Sequence, residues 1–365
     1  MKVKKIIVYI DSLNASGGME RIVYNLINHW KQKYEIVLIT KDNGKCYYGQ
    51  LKNIRMHSIN NPKNLNMNNR LSRVLITAIN MFKSIHFLKK MIFKNITEDT
   101  IVYTVTPLNV FELFLAGVDP KRIVASEHGS AYGINKVYKM IKKIVYPKVK
   151  AISVPNKMDT DYYIKSGYNA VYIPHILYID NRNEDKNSLE NHIILNVGRL
   201  TPDKRQELLI RAWEKNDEKN DWELWIAGEG ELKEYLEKLV KELNLSDSVK
   251  FISASKNIED IYRKASFFAF SSRFEGFGLV LLEAMSYGIP CLSFDCPSGP
   301  RDIIQDNYNG YLIQNNNVEM YIKALKKIST SNTEDRRKMG NQAWSTFLNW
   351  DNKEILKKWE ELFNE

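Results

Sequence analysis

The feature that most constrains the fold of this chain is its alternation of short, continuously apolar runs with amphipathic helical patterns. Apolar runs occupy Lys5–Ile10, Glu35–Thr40 and Ile101–Thr106, and a second series of the same kind begins at His192–Val197. Strands that are apolar on both faces and alternate with helices indicate parallel sheets covered by helices on both sides. The sequence therefore predicts an α/β protein built from two doubly wound, parallel-sheet, Rossmann-like domains.

Polar and charged residues fill much of positions 177–191, between the two series, and this composition is typical of a linker. We therefore expect a first domain at residues 1–178, a second at 179–348 and a C-terminal helix at 349–365 that could cross back to the first domain. Two doubly wound sheets in one chain imply a cleft between the domains, faced by the carboxyl ends of the strands.

Composition and cysteine usage narrow the functional classes. The 365 residues are 44% hydrophobic and 26% charged, as in soluble globular proteins, and no run approaches the roughly 18 apolar residues of a membrane span. Cys46, Cys291 and Cys296 show neither a disulfide framework nor zinc-ligand spacing, so we expect a reducing cytoplasm and no metal site. The sequence lacks Gly-x-Gly-x-x-Gly, so a nicotinamide or flavin cofactor is not indicated.

The formal net charge of +10 is concentrated in the first half of the chain. Residues 1–180 carry 27 Lys and Arg against 12 Asp and Glu, whereas residues 181–365 carry 26 against 31. This asymmetry predicts a polyanionic partner for the first half, either nucleic acid or anionic lipid. The lysines lack an interleaved aromatic platform and no recognition-helix motif is visible, so we do not expect nucleic acid.

A basic helical pattern at residues 136–146 supports the lipid alternative. Apolar residues at 137, 140, 141, 144 and 145 share one helical face. Lysines fill much of the remainder: Lys136, Lys139, Lys142 and Lys143. Such a helix suits an anionic membrane surface, with these lysines near the lipid headgroups. A core-packed helix with a solvated basic face would show the same pattern.

The segment 272–285 carries two carboxylates in a distinctive setting. An apolar run that predicts a strand precedes it, and a predicted helix begins near Leu279. Glu275 lies in the turn, where neighbouring glycines let backbone amides approach a ligand closely, and a helix start suits a phosphate. Glu283 lies inside the apolar helix and needs a partner there, which could be a ribose diol or a neighbouring Arg or Lys.

Three further strand ends carry candidate binding groups. Arg199 and Lys204 stand five apart around a strand-end turn and could stabilise a departing nucleotide diphosphate, or could be solvated charges. Gly17 and Gly18 precede a helix and could cradle a phosphate, or could form a simple turn. His128 also follows a predicted strand, where functional and structural roles are both open.

Taken together, these motifs resemble the family 4 glycosyltransferases, which are retaining enzymes of the GT-B fold with two domains facing across a cleft. The resemblance covers nearly the whole chain, and the block from Glu275 to Glu283 is its most specific signature. It implies that Glu275 contacts the hydroxyls of the transferred sugar and that Glu283 binds the nucleotide ribose. It also implies that amides at Phe277, Gly278 and Leu279 meet the donor phosphates.

The remaining motifs match the same family one by one. Gly17 and Gly18 resemble its N-terminal donor-phosphate loop, and Arg199 with Lys204 matches its diphosphate-binding pair. The segment Glu127–Gly129 resembles the one whose histidine, here His128, contacts the transferred sugar. Two positions depart from the family pattern: Arg205 stands where Gly is common, and His175 stands where Asn is common.

The resemblance implies a metal-independent, retaining transferase that needs no cofactor beyond its nucleotide-sugar substrate. Residues 295–302 resemble a subgroup that builds bacterial surface polysaccharides, commonly from UDP-hexoses or UDP-N-acetylhexosamines. The expected acceptor is a hydroxyl of a glycan, lipid-linked, at the cytoplasmic face of the cell membrane. The alternative is a non-catalytic glycosyltransferase-like partner subunit, which the intact charged residues of the signature argue against.

Overall fold

A computed structural model describes residues 3–60, 70–133, 136–177, 186–253 and 258–365 of the chain. The chain forms two compact units. The first comprises Met1–Ile176 together with Asn352–Glu365, and the second comprises Leu177–Asp351. The domain boundary predicted at 178/179, and much of the predicted linker, lie outside the described residues.

The first unit contains a seven-stranded sheet in the order β3-β2-β1-β4-β5-β6-β7, and every pairing is parallel. Its strands are β1 (Lys5–Ile10), β2 (Glu35–Thr40), β3 (Arg55–Ser58), β4 (Thr100–Thr104), β5 (Ile123–Ser126), β6 (Ala151–Val154) and β7 (Ala170–Tyr172). Its helices are α1 (Gly18–Trp30), α2 (Arg70–Asn95), α3 (Pro107–Leu115), α4 (Lys136–Val145), α5 (Lys157–Lys165) and the C-terminal helix α13 (Asn352–Asn364).

Local sequence signals fix where two of these helices begin. Thr106 caps α3 by accepting a hydrogen bond from the Asn109 amide at 3.1 Å, and Pro107 occupies the first turn. Asn156 caps α5 in the same way, at 2.7 Å from the Asp159 amide. Each cap accepts a hydrogen bond from an amide that has no partner within its own helix. Each helix therefore begins directly after the loop that follows the preceding strand.

The second unit contains a six-stranded parallel sheet in the order β10-β9-β8-β11-β12-β13. Its strands are β8 (Ile193–Val197), β9 (Glu223–Ala227), β10 (Val249–Ile252), β11 (Phe267–Phe270), β12 (Cys291–Asp295) and β13 (Gly310–Gln314). Its helices are α6 (Gln206–Glu214), α7 (Lys233–Glu242), α8 (Ile258–Lys264), α9 (Leu279–Met285), α10 (Pro300–Ile303), α11 (Val318–Ser329) and α12 (Thr333–Leu348).

Both sheets reverse their strand order at an internal position, and apolar clusters cover both faces of the second sheet. The reversal lies between β1 and β4 in the first sheet and between β8 and β11 in the second. Ligands of doubly wound folds bind at the carboxyl ends of the strands at such a reversal. The predicted fold class, two doubly wound parallel α/β units, is confirmed.

The sequence interpretation missed strand β3 of the first sheet. Its residues Arg-Met-His-Ser are polar or half-exposed, and the strand lies at the sheet edge, paired only with β2 among the described strands. An edge strand needs no continuous apolar run because it is not buried on both faces. The pattern used to identify the other strands is therefore absent here.

The C-terminal helix α13 completes the core of the first unit. Trp359 and Phe363 pack edge-to-face on Trp30 at centroid distances of 5.4 and 5.2 Å, and all three rings are buried. The Val3 amide donates a 3.0 Å hydrogen bond to the side chain of Asn364. The helix therefore fills an aromatic layer that α1 and the sheet leave open.

We expect Trp359→Ala to lower the free energy of unfolding of the first unit by about 3–5 kcal/mol, because it leaves a cavity beneath two other rings. Urea denaturation gives the free energy, and amide hydrogen exchange in α1 locates it in this unit. A control is Leu348→Ala on α12, where an exposed side chain is removed and a change below about 0.5 kcal/mol is expected. Equal effects of the two substitutions would contradict this account of α13.

Candidate active site

Two loops meet at the carboxyl ends of β8 and β11, which are hydrogen-bonded neighbours at the strand-order reversal. The Arg273 amide donates to the Asp203 carbonyl at 2.8 Å, and the Ser271 hydroxyl donates to the Lys204 carbonyl at 2.8 Å. These bonds join the loop that carries the predicted cations to the loop that carries Glu275. Parallel strands place both loops at one edge of the sheet, as the fold requires.

An ion pair joins the two loops at their side chains. The Lys204 ammonium lies 2.5 Å from Oε1 of Glu275, and the two side chains are 24% and 11% exposed. Lys204 also lies 5.7 Å from the centroid of the Phe270 ring. The sequence singled out each charge separately, and the structure brings them into contact. The pair is held within the fold yet remains accessible.

Arg199 lies on the same loop as Lys204, with an exposed side chain. Its guanidinium makes no ion pair within the described part of the chain. The backbone around it is fixed, because the Gln206 side-chain amide donates to the Arg199 carbonyl at 3.1 Å. Arg199 is therefore a cation on a rigid turn whose charge is open to solvent.

Arg205 has a left-handed backbone conformation, with φ of 55°, at the start of α6. A positive φ favours glycine, which gives a physical reason for a glycine at this position. The Arg205 guanidinium lies 5.3 Å from the Phe294 ring centroid and donates to the Asn316 side chain at 3.0 Å. Burial, and then the neighbouring Arg273, lower the pKa of Arg205.

A third loop lies directly against the Arg199 turn. A Cβ on Gly228 would overlap the Gly198 carbonyl oxygen, so a side chain at this position is excluded. The Leu200 amide donates to the Glu229 carbonyl at 2.9 Å. The turn therefore rests on backbone atoms of the loop after β9, which limits its movement.

Glu283 has a tyrosine as its hydrogen-bonding partner. The Tyr262 hydroxyl donates to Oε2 of Glu283 at 3.1 Å, and the Tyr262 ring stacks on Tyr287 at 5.3 Å with an interplanar angle of 4°. The sequence left a ribose diol or a basic side chain as partners for this carboxylate. Glu283 is half-buried, so an accessible part of the group can still contact a ligand.

The turn at 275–279 rests on the loop that follows β12. The Glu275 amide donates to the Pro297 carbonyl at 3.3 Å. Gly299 has φ of 108°, and a Cβ there would overlap the Phe277 carbonyl oxygen. Burial, and then Glu275, raise the pKa of the Cys296 thiol to about 12. Backbone atoms of the loop after β12 thus contact the segment that carries Glu275 directly and restrict its movement.

In the first unit, Gly17 and Gly18 lie at the start of α1, with Gly17 as the N-cap. The Tyr48 hydroxyl donates to the Gly17 carbonyl at 3.1 Å, and the Glu20 carboxylate folds back over Gly17. A Cβ on Gly17 would overlap that carboxylate. The loop after β1 is therefore held from both sides, by Tyr48 and by Glu20.

His128 follows β5 and has a neighbour that the sequence did not predict. Its ring stacks on the His175 ring at a centroid distance of 5.0 Å and an interplanar angle of 16°. Its Nε2 lies 3.4 Å from the Tyr103 hydroxyl. Burial lowers the pKa of His128 to about 4, although the residue as a whole is only half-buried. His128 is therefore neutral at pH 7.

The structure corrects the membrane assignment of Lys142. This side chain is 5% exposed, and its ammonium lies 2.8 Å from Glu127 and 2.7 Å from the Tyr163 hydroxyl. A buried, paired ammonium cannot also reach lipid headgroups. The other three lysines of that prediction, Lys136, Lys139 and Lys143, are exposed.

Across the described ranges, no cluster of three or more His, Cys, Asp or Glu side chains has the geometry to hold a metal ion. Of the helices in the same ranges, none combines the length and apolar character needed to cross a membrane.

We expect Gly299→Ala to loosen the Glu275 turn, because the added Cβ overlaps the Phe277 carbonyl and forces the two loops apart. Gly117→Ala is a matched control: its φ is 91°, and a Cβ there meets no atom within 4 Å. The control should lose only the roughly 1–2 kcal/mol of left-handed backbone strain. Calorimetry and amide exchange at Glu275 test this, and equal losses in melting temperature and exchange protection would contradict it.

Comparison with known proteins now gives the family. The model of the group 1 glycosyl transferases matches residues 179–345. The chain is 28% identical over 375 residues to the amylovoran biosynthesis glycosyltransferase AmsD of Erwinia amylovora, with 99% of each chain covered. It is 30% identical over 341 residues to the N-acetylgalactosamine-N,N'-diacetylbacillosaminyl-diphospho-undecaprenol 4-alpha-N-acetylgalactosaminyltransferase of Campylobacter jejuni, covering 88% of this chain and 89% of the relative.

A solved structure of an S. aureus TarM variant with fondaparinux, alpha-GlcNAc-glycerol and UDP is similar in fold, with a TM-score of 0.79 at 18% identity and 100% of both chains covered. The predicted GT-B fold and glycosyltransferase class are confirmed. By its similarity to these relatives across almost its whole length, this chain belongs to the group 1 glycosyltransferases.

Proposed function

We propose that the chain is a metal-independent, retaining glycosyltransferase that moves a hexose or N-acetylhexosamine from a UDP-sugar to a hydroxyl of a lipid-linked glycan. The observation that carries the proposal is the Lys204–Glu275 pair at 2.5 Å, with the exposed cation Arg199 on the same loop as Lys204. Support for the donor comes from the UDP in the TarM structure. Support for the acceptor comes from the undecaprenol-diphosphate glycan in the name of the C. jejuni relative.

The two cations suit the departure of a nucleoside diphosphate. The bond between the sugar C1 and the diphosphate oxygen breaks, and negative charge develops on that oxygen. Arg199 can bind it in a bidentate manner, and Lys204 supplies a second positive charge beside it. Positive groups that are already in place before the reaction stabilise the negative charge on the departing oxygen, because they need not move as it develops. We assign no metal to this step.

The new bond forms on the face that the diphosphate leaves. The acceptor hydroxyl oxygen bonds to C1, and its proton passes to the departing phosphate oxygen. Glu275 has one oxygen engaged with Lys204, and we assign its other oxygen to the hydroxyls of the sugar. A carboxylate held in this way binds and orients the sugar rather than attacking C1, which favours retention through an ion-pair-like transition state.

The remaining donor contacts follow the family resemblance. We assign the nucleotide ribose to Glu283, whose hydrogen bond from Tyr262 orients the carboxylate. We assign the phosphates to the amides at 277–279 and to the glycine loop at Gly17 and Gly18. A place in surface-polysaccharide biosynthesis follows from the amylovoran biosynthesis named for the E. amylovora relative.

We expect a UDP-hexose or UDP-N-acetylhexosamine to raise the melting temperature in a panel of UDP- and GDP-sugars, because a ligand that binds only the folded state stabilises it. Transfer should persist in EDTA. Arg199→Ala and Lys204→Ala should each lower kcat by roughly 10²–10³, the usual loss of one charge-stabilising group.

Arg211→Ala is the control for these variants, since it removes an exposed arginine of α6 that is paired with Glu207. Near-full activity of both the Arg199 and Lys204 variants would show that the charge assignment is wrong. Donor binding without transfer to any glycan acceptor would favour the non-catalytic partner subunit instead.

We also propose that α4 docks the first unit on an anionic cytoplasmic leaflet. Val137, Met140 and Ile144 are 60%, 60% and 45% exposed and share one face of the helix. An adjacent row of exposed lysines follows the same spacing: Lys136, Lys139 and Lys143. An apolar ridge beside a basic ridge suits insertion among anionic headgroups. The inward face of the helix instead carries Lys142 and Val145.

We expect the triple change Lys136→Glu, Lys139→Glu and Lys143→Glu to abolish sedimentation with anionic liposomes, because each such lysine contributes about 1 kcal/mol at an anionic surface. Nucleotide-sugar binding should be unchanged. The matched control reverses three exposed lysines elsewhere, Lys215, Lys238 and Lys241, by the same amount of charge. Equal sedimentation of the two triple variants would contradict docking through α4.

A further inference from the structure

We propose that His175 is a positioning residue that holds the His128 ring, so that Nδ1 of His128 donates a hydrogen bond to the transferred sugar. The inference rests on the proposed function in one respect, the contact between His128 and that sugar. It adds a residue and a protonation state that the family resemblance did not supply.

The stack joins two loops of the first sheet. His128 follows β5 and His175 follows β7, and these strands flank β6. The rings are nearly parallel, with centroids 5.0 Å apart, and His175 is buried. A buried ring against one face of His128 restricts rotation of that imidazole. His175 therefore fixes the plane of the ring, which a side chain without a ring would not do.

The tautomer follows from the partner of Nε2. The Tyr103 hydroxyl lies 3.4 Å from Nε2 and is itself held in a buried site, edge-to-face with Trp30 at 5.1 Å and Trp359 at 5.6 Å. We assign the Tyr103 proton to this contact, so that Nε2 of His128 is the acceptor. With Nε2 as acceptor, the neutral His128 ring carries its proton on Nδ1.

Nδ1 of His128 is buried, and no atom of the described residues accepts a hydrogen bond from it. A buried N–H group without an acceptor is destabilising. Binding of a ligand whose oxygen accepts this hydrogen bond removes that cost and is therefore favoured. Sugar hydroxyls are suitable acceptors. The stack on His175 and the contact with Tyr103 together fix the orientation of the Nδ1–H group. The neutral His128 ring adds no charge to the site.

Burial, and not a neighbouring charged group, keeps the pair neutral. Glu127, next to His128 in sequence, is engaged by Lys142 and by the Tyr146 hydroxyl. The Tyr103 hydroxyl faces Nε2 of the His128 ring. Burial lowers the pKa of both histidines, and the nearby His128 lowers that of His175 further. A neutral pair of rings can stack, whereas a protonated pair would repel.

The experiment compares His175→Ala, His175→Phe and a matched control in the full chain. The control is His192→Ala, because His192 makes a similar stack on Trp222, at 4.9 Å and 18°, in the second unit. We expect His175→Ala to lower kcat two- to tenfold, about the value of one aromatic stack, with little change in KM for the UDP-sugar. His175→Phe keeps a flat ring and should retain most of the activity, as should His192→Ala.

A second readout does not depend on activity. The chain has six histidines, and the His128 signals in a ¹⁵N NMR spectrum are identified by their loss in His128→Asn. We expect His128 in the wild type to be the Nδ1–H tautomer, and His175→Ala to shift it toward a mixture. A wild-type Nε2–H tautomer, or equal kcat for His175→Ala and His192→Ala, would overturn the inference. Absence of transfer by the wild type would instead overturn the proposed function, and the NMR comparison would still decide the role of His175.

Discussion

The strand order of the second sheet is the constraint on which the candidate site depends. Strands β8 and β11 are distant in sequence but hydrogen-bonded neighbours in the sheet, so their following loops leave the same edge side by side. Lys204 can meet Glu275 only because of this adjacency. The hydrogen bonds that the Arg273 amide and the Ser271 hydroxyl donate to backbone carbonyls then fix the distance between the loops. The Lys204–Glu275 ion pair is therefore a consequence of the strand order, because the sheet places the two loops side by side before the side chains make contact.

The fold class could be read from the sequence because its cause is local. A strand buried on both faces of a parallel sheet has to be apolar along its whole length, and that pattern is visible in the residues. The contact between Lys204 and Glu275 could not be read in the same way, since it depends on which strands are neighbours. Strand β3 was missed for a related reason: at the sheet edge its polar residues meet no burial requirement.

The helix α4 shows where periodicity stops being informative. Helical spacing predicted one apolar face and one basic face, but it cannot say which residues the neighbouring elements cover. In the structure Val145 lies inside and Val137 outside, although both belong to the predicted apolar face. Lys142 lies inside because Glu127, at the end of a neighbouring strand, supplies the opposite charge. Likewise, the pairing of His128 with His175 depends on two loops that are far apart in sequence and follow β5 and β7, the strands on either side of β6.

Three lysines contact carboxylates near the carboxyl ends of strands, and burial separates the roles of these contacts. Lys41 contacts Asp11 at 2.9 Å and Glu112 at 2.6 Å, and Lys142 contacts Glu127 at 2.8 Å, with both ammonium groups almost inaccessible. Removing one member of such a buried pair leaves an uncompensated charge, at a cost of about 3–5 kcal/mol. These pairs hold loops in place. The Lys204–Glu275 pair is partly open to solvent, so a phosphate or a sugar hydroxyl can approach either member without first breaking the core. The same chemical contact is thus structural where it is sealed and available for binding where it is not.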